Sequence, residues 1–367
     1  MSEVLPAQAS DYMFWARTRQ SAPFNLAVSG VPALTTADLP LSLADVGLTG
    51  PSTYGWPPLQ AALARHLGVT GDRVVHAGGT SMANHLAMAV CLQPGDEVLV
   101  EEPTYDCLVD VARYLRASIR RFPRPRALGF QPDLAALRAA FTPATRLVVL
   151  TNLHNPSGTR LENSTLTTLS NLCLNAGARM LVDEVYLDAA AEPPPPTAHR
   201  LGDHVLTTSS LTKIYGLNGL RCGWVLAAPG LAHRMARLND LFGVIPAHPA
   251  ETLSLAALPH LPALRRRALE LIERNRTTWK RFVQTRTNLE DSPSPVGTTV
   301  FPRLLRGSVD TLCKRLRETY QTTVVPGRFF SSPDSFRVGL GCPEATFHEG
   351  LRRLGLALDS LADSVEP

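Results

Sequence analysis

The stretch SSLTKIYGLNGLRCGW, residues 209–224, decides how this chain is read. It closes one apolar run, HVLTTSS, and opens another, RCGWVLAAP, with Lys213 held between small hydroxyl residues and a glycine-punctuated turn. Lysine and arginine together number 36, yet lysine stands only at positions 213, 280 and 314. Lys280 (TTWKRFV) and Lys314 (LCKRL) lie beside arginines and read as ordinary solvated charge. Lys213 has no charged neighbour before Arg221. Lysine can lose its proton near neutral pH and attack a carbonyl, whereas arginine cannot. Imine chemistry is therefore the first hypothesis for Lys213.

Outward from this stretch, short apolar runs alternate with helical patterns. VVHAG precedes SMANHLAMAVCL, DEVLVEE precedes CLVDVARYL, SIRRF precedes DLAALRAAF, and RLVVLTN and ARMLVDEVY follow. Such alternation predicts an α/β core with a mostly parallel, doubly wound sheet covered on both faces. Ligands of open α/β sheets bind beyond the carboxyl ends of the strands. The residues to inspect there are GGTS after VVHA, PTYD after VLVEE, LHNPSG after VVLTN, DEVY after MLV, and SSLTK after HVLTT.

After Leu241 the pattern changes. Leu264, Ala268, Ile272, Trp279 and Phe282 at helical spacing predict one amphipathic helix over 263–286. TTVFPRLL, a helix around Leu312 to Tyr320, TTVV, SFRVGLG and a final helix predict a small α+β domain. The expected division is a large domain over 40–250 and a smaller one built from 1–39 and 251–367. EPPPPT (192–197) reads as a stiff surface loop rather than a linker, because the sheet pattern resumes after it.

Composition narrows the class. A chain of 367 residues with 44% hydrophobic content suits about two domains. A net charge of +4 argues against a dedicated nucleic-acid binder, and RRFPRPR from Arg120 reads as a solvated edge. Six cysteines show no CxxC and no paired spacing, which speaks against zinc and disulfides and for a reducing compartment. MSEVLPAQASDYMFWARTRQ lacks the pattern of a signal peptide, and no apolar stretch of about 18 residues occurs. A cytoplasmic protein without membrane contact is expected.

The ordered set YG-PPL, GGTSMA, PTY, NPSGT, DEVY, SLTK, Arg221 and FRVGLG resembles the fold-type I pyridoxal-phosphate enzymes of the aminotransferase class I/II family, over nearly the whole chain. The resemblance implies pyridoxal phosphate as cofactor, with Lys213 as the Schiff-base lysine and proton shuttle. It implies that Asp183 faces the pyridine nitrogen, Asn155 and Tyr186 the ring oxygen, and Tyr105 the ring face. Thr80, Ser81 and Met82 at a helix start, with Ser210, Thr212 and Arg221, would hold the phosphate. Tyr54 would reach the phosphate of a neighbouring subunit. Arg337 would grip the substrate carboxylate, and Gly30 in VSGV would approach the substrate closely. Thr212 stands where the family often has serine, and HPAETLSLAA departs from the usual pattern after the large domain. His85 and His154 read as packing or capping residues.

The function so implied is a homodimeric aminotransferase acting on an α-amino acid and a 2-oxo acid. No second substrate arginine can be placed, and Phe14, Trp15 and Val28 offer apolar walls, so a neutral, fairly large amino acid is expected. Other reactions of the same cofactor stay open: C–S β-elimination, decarboxylation, or biosynthetic replacement or cyclisation. A non-enzymatic aminotransferase-like sensor is the more distant alternative.

Overall fold

A computed structural model describes residues 9–40, 46–191, 193–291 and 294–362. Glu192 of the proline loop and the first eight residues of the chain, on which the signal-peptide reading rests, lie outside the described residues. The central sheet has seven strands: β1 (Val74–Gly78), β2 (Glu97–Glu102), β3 (Ser118–Pro123), β4 (Thr145–Thr151), β5 (Arg179–Asp183), β6 (Val205–Ser210) and β7 (Cys222–Leu226). Their spatial order is β1-β7-β6-β5-β4-β2-β3. Six run parallel and β7 runs against both its neighbours, β1 and β6. This is the α/β class that the alternating pattern predicts.

Both faces of the sheet are covered, so the strands read as continuous apolar runs. Within them the period of two still decides direction. Val98, Val100, Leu181 and Leu206 face a layer with Leu86 and Leu108. Leu99, Val148, Leu150 and Val182 face the opposite layer with Leu137 and Leu169.

Past the sheet, the long helix spans Leu261–Gln284 and buries Leu264, Ala268, Ile272 and Trp279 along one stripe. Phe336–Gly339 pairs with Thr299–Val300 and with Val325–Pro326, and the helices Val309–Glu318 and Glu344–Ala362 pack nearby. The N-terminal segment joins this part of the molecule. Phe24–Asn25 pairs with Thr322–Thr323, and the Gly339 N–H donates to the Leu26 carbonyl at 2.7 Å.

Ahead of that pairing lies a short helix, Asp11–Thr18, that no sequence pattern predicts. Ser10 caps it by accepting from the Met13 N–H at 3.3 Å. Its ring Tyr12 packs edge-on against Phe329. The helix thereby comes to lie at the carboxyl ends of the strands.

Candidate active site

The carboxyl ends of β1, β4, β5 and β6 surround a cleft of about 270 Å³, and eleven of the fourteen expected site residues line it. At the end of β1, Gly79 turns the chain with φ +89° into the helix Thr80–Cys91. A Cβ at Gly79 would collide with the Arg221 guanidinium. Arg221 itself donates to the Gly78 carbonyl at 2.9 Å. The Thr80 hydroxyl donates to Ser210 Oγ at 2.9 Å, and Ser210 donates to Thr212 Oγ1 at 2.9 Å. Helix N–H groups, three hydroxyls and a guanidinium thus surround one small volume, with Ser81 also lining it. Unpaired N–H groups and the helix dipole favour an anion there.

Asp183 ends β5 and is buried. Its Oδ2 accepts from Asn84 Nδ2 at 2.7 Å, and its Oδ1 accepts from the Val185 N–H at 3.0 Å. Asn84 is itself oriented, because Thr208 donates to its Oδ1 at 2.6 Å. Burial pushes the Asp183 carboxyl up to about 6 against the pull of these hydrogen bonds. Among the described residues no cation forms an ion pair with it.

Lys213 follows β6. Its Nζ donates to Ser29 Oγ at 3.3 Å and lies 5.9 Å from the centre of the Tyr186 ring. The Tyr186 hydroxyl donates to the same Ser29 oxygen at 2.7 Å. Gly30 does not line the cleft. It packs against the Lys213 backbone, where an added Cβ would stand 3.1 Å from the Lys213 carbonyl.

Arg337 is buried, and among the described residues it has no carboxylate partner. It donates to Asn155 Oδ1 at 2.8 Å, to the Tyr12 hydroxyl at 3.1 Å and to the Ala27 carbonyl at 3.1 Å, while its buried Nε–H finds no acceptor. Because Asn155 Oδ1 is taken by the guanidinium, its Nδ2 is the group left to donate. Tyr105 lines the cleft at the start of the helix Asp106–Tyr114, and Tyr12 stands edge-on to it at 5.2 Å.

Besides Gly30, two expected site residues stand apart. Tyr54 is 44% exposed, and its hydroxyl donates to Asp240 at 3.4 Å outside the cleft. Met82 turns its side chain into an apolar layer, so only its backbone belongs to the helix start. Of the three apolar wall candidates only Val28 lines the cleft. Phe14 is 66% exposed and Trp15 packs on Phe329, because helical spacing brings Tyr12, Met13 and Ala16 to the cleft instead.

Of three further readings, one is corrected, and the packing roles expected for His154 and His85 are filled in. The run from Arg120 is not wholly a solvated edge: Arg124 is buried and pairs with buried Glu101 at 2.6 Å. Glu101 also accepts from the Thr151 N–H at 2.8 Å and its hydroxyl at 2.6 Å, under the cleft floor. His154 is a packing residue bonded to Ser157 Oγ and the Pro103 carbonyl, and burial holds its imidazole well below the usual range. His85 packs against Tyr114 and Phe242. Sequence reasoning missed Tyr12, Ser29, Asn84 and Thr151, all of which line the cleft. Asn84 carried a signal, since it stands one helical turn after Thr80.

The chain matches aminotransferase class I and II over residues 43–354. It belongs to that family. Among its relatives is capreomycidine synthase of Streptomyces vinaceus, 35% identical over 85% of this chain and 81% of that protein. Arginine–pyruvate transaminase of Pseudomonas aeruginosa is 28% identical over 80% of this chain and 76% of that protein. Among solved structures, a PLP-dependent aminotransferase from Streptococcus suis superposes with a TM-score of 0.87 at 24% identity, over 95% of this chain and 97% of that one. The PLP-dependent cyclase OrfR superposes with a TM-score of 0.86 at 24% identity, over 98% of this chain and all of that one.

The protein is therefore an enzyme of the pyridoxal-phosphate-dependent aminotransferase superfamily, with the fold of that group. The cleft fits the cofactor on its own terms. It holds a cluster of helix N–H groups, hydroxyls and a guanidinium that suits an anion and that a Cβ at Gly79 would disrupt, a buried carboxylate with no ion-pair partner among the described residues, and a primary amine in the same cleft.

Proposed function

We propose that the protein is an aminotransferase that moves the amino group of a neutral, fairly large α-amino acid to a 2-oxo acid. The observation that carries this reading is the meeting of Lys213, Asp183 and Arg337 in one cleft. When bound, pyridoxal phosphate supplies an aldehyde and a conjugated ring that draws electrons from the substrate Cα. Lys213 would hold the cofactor through its amine and would carry a proton to and from the substrate Cα. Asp183 holds the proton on the pyridine nitrogen, and Asn84 and the Val185 N–H keep its carboxylate in place. Asn155 Nδ2 and the Tyr186 hydroxyl would serve the ring oxygen, and Tyr105 would hold the ring face.

Thr80, Ser81, Met82 (through its backbone), Ser210, Thr212 and Arg221 hold the phosphate, joined by Tyr54 from a second subunit. Arg337 binds the substrate carboxylate, and Gly30 lets the covering segment close over Lys213. Residues 40–250 form the cofactor domain, and 1–39 with 251–367 the smaller one. A homodimer in the cytoplasm is part of this reading. No helix among the described residues is long and apolar enough to cross a membrane.

The substrate preference rests on the wall. Tyr12, Met13, Ala16 and Val28 face the cleft, and its only cations among the described residues are Lys213, Arg221 and Arg337. A distal carboxylate left unpaired there would cost several kcal/mol. A second reading, cyclisation or replacement on the same cofactor, is favoured by the 35% identity to capreomycidine synthase. Rapid mixing of holoenzyme with single amino acids separates these readings by the cofactor spectrum. Leucine, phenylalanine or methionine should convert the cofactor to its amino form at least ten-fold faster than aspartate. Faster conversion by aspartate overturns the preference. Spectral binding without any conversion, followed by a cyclised or eliminated product, overturns transamination.

A further inference from the structure

Tyr12 has a geometry that the binding of a carboxylate by Arg337 alone does not use. Its ring is fixed on several sides, edge-on to Tyr105 at 5.2 Å and to Phe329 at 5.5 Å, with Phe330 at 6.2 Å. Its hydroxyl oxygen accepts from Arg337 Nη2 at 3.1 Å. A phenol hydroxyl that accepts one hydrogen bond still has its own hydrogen to give. Among the described residues that hydrogen has no acceptor, although Tyr12 is buried and lines the cleft.

Arg337 is in the matching condition. Three of its N–H donors are used, on Asn155, Tyr12 and Ala27, and the buried Nε–H is unpaired. Buried polar hydrogens without partners are costly and uncommon in finished structures. Two such hydrogens, one on a cation and one on a hydroxyl touching that cation, call for one anionic acceptor with more than one lone-pair direction. A carboxylate has that form.

We propose that Tyr12 is a substrate-binding residue, whose hydroxyl donates to the same α-carboxylate that Arg337 binds. The proposal rests on the reading of Arg337 as the carboxylate site. It adds that the helix Asp11–Thr18 is tied to the substrate through Tyr12, so a free carboxylate helps to seat that helix over the cleft. Amino acids are accepted, and their amides, esters or decarboxylated amines are bound poorly.

The test uses two unreactive probes of the leucine skeleton, 4-methylpentanoate and 4-methylpentan-1-ol, titrated into holoenzyme and followed by the cofactor absorbance. Tyr12→Phe keeps the ring and removes only the hydroxyl. The variant should bind the acid about ten-fold more weakly, as fits a hydrogen bond to a charged group, and bind the alcohol as the wild type does. Unchanged binding of the acid overturns the proposal. Equal weakening for both probes also overturns it, since Tyr12 would then only seat the helix. Should the wild-type enzyme show no preference for the acid over the alcohol, the carboxylate site at Arg337 fails first, and the amino-acid reading falls with it.

Discussion

Asp183 and Glu184 are adjacent acids at the end of one strand, and pleating sends them to opposite faces. Asp183 enters the cleft, while Glu184 accepts from the Ala198 N–H at 2.7 Å and the Thr197 hydroxyl at 2.6 Å. Burial raises both carboxyls, Asp183 to about 6 and Glu184 to about 8. A carboxyl raised on folding favours the folded state most below its unfolded value, and that contribution is lost as pH climbs through the folded value. Comparison with Asp183→Asn cancels the titrations that do not depend on the Asp183 charge, leaving its weak coupling to neighbours such as Glu184. In cofactor-free protein, the stability of wild type relative to this variant should fall by about 3 kcal/mol between pH 3 and pH 7, as a carboxyl raised from 3.8 to about 6 implies. With the cofactor bound, a ring cation beside Asp183 should remove or reverse that fall. Chemical denaturation at a series of pH values measures both. A pH-independent difference in the cofactor-free protein would show that Asp183 is not the destabilised buried acid described.

The cradle proposed for the phosphate belongs to the element scale, because it exists only where β1, β6 and β7 bring their ends together. Gly79 adopts φ +89°, which L side chains rarely adopt, and an added Cβ would push the Arg221 guanidinium away. Gly79→Ala should therefore weaken cofactor affinity by at least ten-fold while far-UV circular dichroism stays that of the wild type. Fluorescence titration of the cofactor-free variant checks this, and unchanged affinity would remove Arg221 from the cradle. The elements themselves were largely legible. Strand ends carrying GGTS, NPSG, DEVY and SLTK were marked by apolar runs that stop at polar residues, and the long helix is displaced by only two residues at each end. What stayed hidden depends on distant partners. Nothing local tells that Tyr12 rather than Phe14 faces the cleft, since its ring is held by Phe329 and Arg337, more than 300 residues away. Arg124 looked solvated for the same reason, as the acid that buries it stands on a different strand.

At the scale of the whole molecule, one surface is left unexplained by a single chain. Leu241, Phe242, Val244 and Ile245 are all exposed, and Asp240 beside them accepts from the Tyr54 hydroxyl. Contiguous exposed apolar residues mark interaction surfaces, and a two-fold dimer places the same patch on both subunits. Tyr54 thus stands at the edge of the surface expected to pair, where its hydroxyl can leave Asp240 and enter the partner's cleft. Complementation decides between a residue acting across the interface and one acting within its own chain. Lys213→Ala and Tyr54→Ala should each be inactive or nearly so as pure dimers. When the two are co-expressed in equal amounts, a crossing Tyr54 concentrates both defects of a hybrid dimer in one site and leaves its other site intact. Random pairing then restores about a quarter of wild-type activity. If Tyr54 serves its own subunit, every site carries one defect and no activity returns. Recovery near a quarter, together with a dimer mass by analytical ultracentrifugation, supports the shared site; no recovery, or a fully active monomer at all concentrations, excludes it.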